Sequence, residues 1–207
     1  MTENEISEID RLGLEIMQKS AEIAKLRQAQ SPVEILDYPF RTIEGATTLS
    51  ALFGTRDKLL VVHNMGQGCR YCTTYADGIN GVLDHLEDAM AVVVVSKDPP
   101  QVQRAMAKDR HWKFRMASHE GAAYMADQCK MAGYDNCPGA AVYEKSIDQG
   151  NTKILRRAQT PFGPGDFFSP VWPFLSLAGL GEADWTPQFH YWSRPTKLDD
   201  GGENVKD

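Results

Sequence analysis

Long apolar runs are missing from this chain of 207 residues, and none approaches the roughly 18 to 20 residues that a membrane span needs. The first residues, MTENEISEIDRLG, are acidic and polar, and they lack the basic start and apolar stretch of a secretory signal. We therefore expect a cytoplasmic protein with no membrane partner. Structural disulfides are rare in that compartment, so a close pair of cysteines there favours catalysis or metal binding.

An excess of positive charge is also missing. The chain has 22 basic and 28 acidic residues, which give a net charge of -6. Because a nucleic-acid-binding protein needs a basic face to neutralise phosphates, we expect no nucleic-acid partner. Neither G-x-G-x-x-G nor G-x-x-x-x-G-K-[ST] occurs, which argues against dinucleotide and NTP sites, and we expect no cofactor.

Cysteine is scarce, but two of the four cysteines, Cys69 and Cys72, form a C-x-x-C segment. The run KLLVVHNM before them is nearly continuous in apolar residues, which is typical of a strand covered on both faces. The segment 72–86 after them has apolar residues at helical spacing. The pair is therefore predicted to lie at a strand-to-helix junction.

Such a junction suits thiol–disulfide chemistry. Unpaired N–H groups at the helix start and the adjacent Arg70 favour a thiolate, so we expect the pKa of Cys69 to lie below that of an ordinary free cysteine. Cys72 lies about one helical turn further on, where it can attack a mixed disulfide. We predict that Cys69 is the nucleophile and Cys72 the resolving thiol. His63, at the strand end, is a candidate base or imidazolium partner, although such a histidine more often has only a structural role.

Two other interpretations of the pair stay open. Zinc sites use the same spacing, and a structural zinc would need two further ligands. Cys129 and Cys137 are present, but their separation is not that of a second C-x-x-C. Alternatively, the two thiols are inert, and the chain is a binding or scaffold protein without catalysis.

The rest of the chain alternates between predicted helices and strands. Strands are predicted at 40–43, 59–63 and 91–96 and on both sides of the SIDQGN turn; helices are predicted at 3–29, 72–86, from Asp98 onward, within 119–131 and in VWPFLSLAGL. This order favours an α/β sandwich in which a parallel pair of strands is extended by an antiparallel edge. The amphipathic N-terminal helix can pack on the domain or on a second subunit, so a homodimer is a candidate assembly.

Several segments resemble known proteins. FRTIEGATTLSALFGTRDKLLVVHNM, CRYC opening a helix and CPGAAVYEK opening a strand resemble the thioredoxin-like superfamily. CRYCTTYADGINGVLDHLED, VVVVSKDPPQVQ, WKFRMASHEG and TPFGPGDFFSPVWPFLSLAG are similar to the bacterial family called domain of unknown function 899. The resemblance implies a thioredoxin-like three-layer sandwich over 37–192. A helix and linker over 1–36 would precede it, and a disordered tail over 193–207 would follow.

The resemblance also implies roles for individual residues. The redox pair of the superfamily falls on Cys69 and Cys72, and its proline before the third sheet strand falls on Pro138, which implies a cis Cys137–Pro138 bond. Cys137, Pro138 and Tyr71 would then contact the substrate. A third sulfur at Cys137 could be an alternative resolving thiol, a member of a three-sulfur metal site or a buried thiol that only fills space.

The segment around Gly45 is similar to the peroxiredoxin branch as well. The P-x-x-x-T-x-x-C motif of that branch is not met, because Met65 and Cys69 stand where proline and threonine should be. We therefore expect a thiol–disulfide oxidoreductase that acts on a protein or small-molecule thiol or disulfide, not a peroxidase. CRYC differs from the CGPC of thioredoxin, which leaves the reduction potential open.

Overall fold

A computed structural model describes residues 7–131, 133–148 and 151–189. Its helices are α1 (Glu8–Ala29), α2 (Leu49–Leu52), α3 (Arg70–Gly81), α4 (Leu83–Ala89), α5 (Pro100–Asp109), α6 (Ala123–Gln128) and α7 (Val171–Leu177). Its strands are β1 (Val33–Ile35), β2 (Pro39–Thr42), β3 (Gly45–Thr48), β4 (Lys58–His63), β5 (Ala91–Ser96), β6 (Arg115–Ser118), β7 (Gly139–Asp148) and β8 (Asn151–Pro161). No helix within these ranges is long and apolar enough to cross a membrane.

The strands form one 8-stranded sheet in the order β1-β8-β7-β4-β5-β6-β2-β3. Strand β4 runs parallel to β5 and antiparallel to β7, and β5 runs parallel to β6. The predicted mixed sheet, a parallel core extended by an antiparallel hairpin, is confirmed. The C-terminal ends of β4 and β5 therefore lie side by side, at the edge of the sheet from which the C-x-x-C loop leaves.

The core lies on both faces of the sheet. Because successive side chains of a strand point to opposite faces, Val93 and Val95 pack into one cluster, while Val92 and Val94 pack into the other. The first cluster includes Leu49 of α2 and Tyr124 of α6, and the second includes residues of α3 and α4. Helices on both faces of a mixed sheet make the three layers that the sequence predicted.

Some element boundaries differ from the prediction. The segment expected to be a linker contains β1, which pairs antiparallel with β8, so the sheet begins at Val33 rather than after residue 37. The helix expected over 72–86 is divided at Val82, whose ψ of 14° is not helical, into α3 and α4. Gly78 and Gly81 weaken the helix just before this break, because glycine has a low helix propensity.

Two short strands, the N-terminal helix and the two ends of the chain also bear on the prediction. The short strands β3 and β6 have no strong sequence pattern and were not predicted. Helix α1 was predicted, but none of its residues is buried. The tail expected over 193–207 lies outside the described residues, and so do residues 1–6 of the N-terminal segment.

Candidate functional site

The C-x-x-C segment opens helix α3 at the end of strand β4. Cys69 is the N-cap residue of this helix, and its Sγ accepts a hydrogen bond from the Cys72 N–H at 3.1 Å. The Cys69 carbonyl accepts a hydrogen bond from the Thr73 N–H at 3.1 Å, which starts the helix. The Cys69 sulfur therefore lies against the unpaired N–H groups of the helix start, where the sequence placed it.

Cys69 and Cys72 form a disulfide, with their Cα atoms 5.3 Å apart. Cys69 is partly exposed, whereas only 3% of Cys72 is exposed. The Met65 N–H also donates to Cys72 Sγ, at 3.4 Å. A molecule arriving from solvent can therefore reach Cys69, while Cys72 is shielded behind it.

Asp98 holds the loop that carries the pair. Its Oδ2 accepts a hydrogen bond from the Gln67 N–H at 2.7 Å, and a Cβ atom at Gly66 would lie 2.9 Å from each of its carboxylate oxygens. Gly66 has a φ of 116°, in the region that favours glycine, and its N–H donates to Asn64 Oδ1 at 2.8 Å. In the sequence, Asp98 marked only the start of a predicted helix. The neighbouring C-terminal ends of β4 and β5 were the signal that could have placed it here.

A cavity of about 910 Å³ opens beside Cys69. Arg70 and Tyr71 line it from the start of α3, and Cys137 and Pro138 line it from the segment before β7. Tyr75, Tyr134 and Phe162 add an aromatic wall. The fold thus brings Cys137 and Pro138 to the same face as the C-x-x-C, although the two segments are far apart in the sequence.

The Cys137–Pro138 bond is not cis, because the described residues contain no cis peptide bond, and the prediction of a cis bond is wrong. The trans isomer of an X–Pro bond is favoured by about 0.5 to 1 kcal/mol. Two backbone groups beside the trans bond are paired: the Cys137 N–H donates to the Cys129 carbonyl at 2.8 Å, and the Phe162 N–H donates to the Pro138 carbonyl at 2.8 Å. These two groups are therefore not free to pair with a substrate in the manner of a strand.

The segment after α7 folds over the first turn of α3. Arg70 Nη1 donates to Gln188 Oε1 at 3.3 Å, and the Tyr71 hydroxyl donates to Glu182 Oε1 at 3.2 Å. The Tyr71 ring also stacks on Trp172, with their centroids 6.1 Å apart. No sequence pattern connects this C-terminal segment with the cysteine pair. Its contacts position the two residues that separate the cysteines.

A second network fixes the aromatic wall of the cavity. The Tyr75 hydroxyl lies 2.6 Å from the Gly163 carbonyl oxygen and 2.9 Å from Asp166 Oδ2, and it accepts a hydrogen bond from Trp172 Nε1 at 3.1 Å. The Tyr75 ring stacks on Phe162, with their centroids 4.6 Å apart. Burial is the main cause that raises the pKa of Tyr75 above its ordinary value. Tyr75 therefore stays a neutral phenol that holds the 162–172 segment against α3.

His63 lies in the core of the protein, where it cannot act as the base or imidazolium partner of the cysteine pair that the sequence suggested. It is 2% exposed, and its Nε2 lies 2.8 Å from the Tyr124 hydroxyl. Burial, and then the nearby charges of His119 and Arg156, lower its pKa to about 3. A histidine that stays neutral at physiological pH supplies no imidazolium charge, and His63 does not line the cavity. At physiological pH His63 therefore provides no positive charge beside the cysteine pair.

Because two histidines are buried, we expect the stability of the fold to fall in acid. The unfolded chain protonates His63 near its ordinary pKa of 6.5, whereas the folded chain resists protonation down to a pKa of about 3. The unfolded state therefore binds more protons below pH 6.5, and stability falls as the pH falls through that window. Between pH 7 and pH 5, protonation of this residue in the unfolded chain should lower the free energy of unfolding by about 2 kcal/mol.

Urea unfolding at both pH values measures this loss. His63→Gln should reduce the loss, and the exposed His85→Gln is the matched control. An equal loss in wild type and His63→Gln would contradict the expectation. His119, whose pKa burial lowers to about 4, should contribute a further loss over the same range of pH.

The segments that carry Cys129 and Cys137 are joined by a backbone hydrogen bond; Cys137 lines the cavity, and Cys129 does not. Burial is the main cause that raises the pKa of Cys129 to about 12, with a further contribution from Cys137, and burial also raises the pKa of Cys137. Among residues 7–131, 133–148 and 151–189, no group of three or more His, Cys, Asp or Glu side chains is arranged to hold a metal ion. Both thiols are therefore buried, and they stay protonated at neutral pH.

Alkylation of the reduced protein should follow this order of burial. At pH 7, iodoacetamide should modify Cys69 first and leave Cys129 unmodified on the same timescale, because the thiolate is the nucleophile. Peptide mass spectrometry measures the modified fraction of each cysteine over time. Labelling of Cys129 should become fast in urea, which serves as the control. Modification of Cys129 as fast as that of Cys69 in the folded protein would show that Cys129 is accessible to solvent, which contradicts this expectation.

Comparison with known proteins supports this fold. Residues 12–158 match the model of DUF899, a family described as bacterial protein of unknown function. No curated protein matches the chain.

Two solved structures share its architecture. A Burkholderia cenocepacia protein, provisionally described as a thioredoxin reductase, is 18% identical; the match covers 67% of this chain and 90% of that one, with a TM-score of 0.50. Reduced Prx3 from Vibrio vulnificus is 12% identical, with coverage of 72% and 98% and a TM-score of 0.51. At these identities the likeness is one of fold, and the fold is thioredoxin-like.

Proposed function

This chain belongs to the bacterial family DUF899, and we propose that it carries out thiol–disulfide exchange through Cys69 and Cys72. One observation carries the proposal. The two cysteines form a disulfide at the first turn of α3, and the outer one opens onto the cavity of about 910 Å³. A disulfide with a purely structural role does not require its partly exposed cysteine to line a cavity with room for a substrate.

The reduced pair would act in two steps. The Cys69 thiolate attacks one sulfur of a substrate disulfide, forming a mixed disulfide and releasing the other substrate sulfur as a thiolate. Cys72 then loses its proton and attacks Cys69 Sγ, which forms the Cys69–Cys72 disulfide and releases the second substrate thiol. Two electrons pass to the substrate, and an external thiol reductant is needed to return the pair to the dithiol. The same steps in reverse oxidise a substrate dithiol.

The geometry favours Cys69 as the attacking group. The Cys72 N–H already points at Cys69 Sγ, and the same N–H can stabilise the negative charge of the thiolate. Helix α3 adds the partial positive charge of its N-terminus, and Arg70 lines the same cavity. These groups should hold the pKa of reduced Cys69 below that of an ordinary cysteine.

The cavity supports substrate contacts at Cys137, Pro138 and Tyr71. Its volume falls within the roughly 300 to 1,000 Å³ of small-molecule sites, and its aromatic wall suits an apolar part of the substrate. Lys97 and Arg70 also line the cavity, and they can contact an anionic group. A small thiol such as a thiol-containing peptide, or a loop of a protein, fits these features.

The test is a redox titration of the pure protein in glutathione buffers, followed by alkylation and peptide mass spectrometry. A reversible two-electron couple confined to Cys69 and Cys72 is expected, together with turnover of a disulfide-bonded peptide. A potential near about -270 mV would indicate a reductase, and one near about -120 mV an oxidant. A scaffold would show no turnover, and a metal site would show zinc by elemental analysis with thiols protected from alkylation. Either result would overturn the proposal.

A further inference from the structure

Helix α1 exposes apolar residues along one face. Its 22 residues include no buried one, and Ile9 and Leu26, near its two ends, are 82% and 64% exposed. Ile16 and Ile23 between them are exposed as well. A single helix of this length is only marginally stable in water, because most helical stability comes from packing an apolar face. Large exposed apolar surfaces of this kind mark interaction sites.

The apolar residues of α1 follow a heptad pattern. Ile9, Ile16 and Ile23 recur every seven residues, and Leu12 and Leu26 follow the first and third of them by three residues. These spacings assign isoleucine to the a positions and leucine to the d positions. A heptad repeat of this kind is typical of a coiled coil, and isoleucine at a with leucine at d favours two parallel strands.

The charges that flank this seam fit the same arrangement. Glu22 falls at a g position, and Arg27 falls at the e position of the following heptad. In a parallel pair of helices, a g residue of one helix faces the e residue of the next heptad on the other helix. Glu22 of each copy would therefore face Arg27 of the other copy, twice in a two-fold symmetric dimer.

One charged residue, Lys19, occupies the remaining d position. Within the helix its Nζ lies 2.8 Å from Glu22 Oε2, and 76% of its side chain is exposed. A long lysine side chain can cover apolar surface with its methylene groups and keep its ammonium in water. Lys19 therefore weakens the seam without blocking it.

We propose that a second copy of this chain covers α1, forming a parallel two-stranded coiled coil along the seam of Ile9, Leu12, Ile16, Ile23 and Leu26. The C-terminal end of α1 is tied to the sheet, because Arg157 Nη2 donates to the Gln28 carbonyl at 2.6 Å. The coiled coil thus joins two thioredoxin-like domains at β8. No residue of α1 lines the cavity beside Cys69, so association and thiol–disulfide exchange are separable properties.

Sedimentation equilibrium of the full chain measures the association. We expect a concentration-dependent dimer in wild type and a monomer in the double variant Ile16→Glu/Ile23→Glu. The matched control is Leu14→Glu/Met17→Glu, which places the same charges on the same helix away from the seam and should keep the dimer. Lys19→Leu completes the seam, so its dissociation constant should fall by about tenfold or more.

A charge reversal tests the flanking pair. Glu22→Arg and Arg27→Glu should each weaken the dimer, because like charges then face each other across the seam. The double variant restores opposite charges and should recover the dimer. Near-UV circular dichroism, which reports the packed aromatic core of the domain, and the Cys69–Cys72 couple should be the same in all these variants, which shows that the domain still folds.

Cross-linking tests the direction of the helices. In a parallel dimer two copies of position 26 face each other, so Leu26→Cys should form an intermolecular disulfide with itself, identified by peptide mass spectrometry. Gln28→Cys, off the seam, is the control and should not. In an antiparallel pair, position 26 would instead face position 9, so Ile9→Cys/Leu26→Cys would form a cross-link between positions 9 and 26.

Four results would overturn the proposal. They are a wild-type monomer at all concentrations, a dimer that Ile16→Glu/Ile23→Glu leaves intact, a cross-link between positions 9 and 26, and a monomer that binds anionic vesicles through α1. The last would assign the face to a lipid surface. None of these results bears on the redox couple, so this proposal and the proposed function can fail independently.

Discussion

Cys69→Ser is expected to abolish thiol–disulfide exchange, with a loss of about a thousandfold or more in the rate of turnover of a disulfide-bonded peptide. Serine keeps the size of the side chain, but its hydroxyl is not ionised at neutral pH and cannot attack a disulfide. Cys72 cannot take over the first step, because it is buried behind Cys69 and only 3% of it is exposed. The remaining rate should equal that of the uncatalysed reaction.

Cys72→Ser should fail in a different way. Cys69 can still attack the substrate, but no thiol is placed to release the mixed disulfide, so the covalent adduct should accumulate. Intact-protein mass spectrometry measures it as an added substrate mass that a strong reductant removes. Cys129→Ser is the control. It should be as active as wild type and should accumulate no adduct. Full activity in Cys69→Ser, or an adduct on Cys137 in Cys72→Ser, would contradict the assigned roles.

Gly139→Ala is expected to destabilise the fold by about 3 kcal/mol, which lowers the Tm of a chain of this size by roughly 6 to 12 °C. Gly139 starts β7 and pairs with His63 of β4 on one side and with Pro161 of β8 on the other. A Cβ atom there would overlap the Thr160 carbonyl oxygen and lie 3.1 Å from Pro161 Cα. Both are backbone atoms of a paired strand, so relief requires the strands to move apart.

Gly81→Ala is the matched control for this prediction. Gly81 is the last residue of α3, and a Cβ atom built on it has no other atom within 4 Å. Alanine also has the higher helix propensity, so the Tm of this variant should stay constant or rise slightly. Differential scanning calorimetry of the two variants measures the difference. A Tm for Gly139→Ala equal to that of wild type would show that β7 and β8 can separate without cost.

Local sequence patterns were enough to identify the central elements. The apolar runs KLLVVH and AVVVVS predicted β4 and β5, and the residues after Cys72 predicted the redox helix. These predictions succeed because both strands are buried on both faces, and burial of that kind leaves a nearly continuous apolar sequence. The spacing of Cys69 and Cys72 at the junction likewise follows from neighbouring residues alone.

The short strands of the sheet were harder to predict. Strand β1 has three residues and lies in a segment that resembles a linker, and β6 has four. Such strands are held by pairing with a distant strand rather than by their own pattern, and β1 pairs with β8 more than a hundred residues later. The sequence of such a short strand does not indicate which distant strand it pairs with.

The sequence by itself determined the fold class, the position of the cysteine pair and the helix that opens at Cys69, because each depends on burial pattern and spacing within a few residues. The tertiary structure decided which distant groups surround the pair. It brought Asp98 to the Gln67 N–H, folded the segment around Gln188 over Arg70, and paired the backbone around a trans Cys137–Pro138 bond. These arrangements depend on which strand ends meet at one edge of the sheet, and that order is fixed only when the whole sheet assembles.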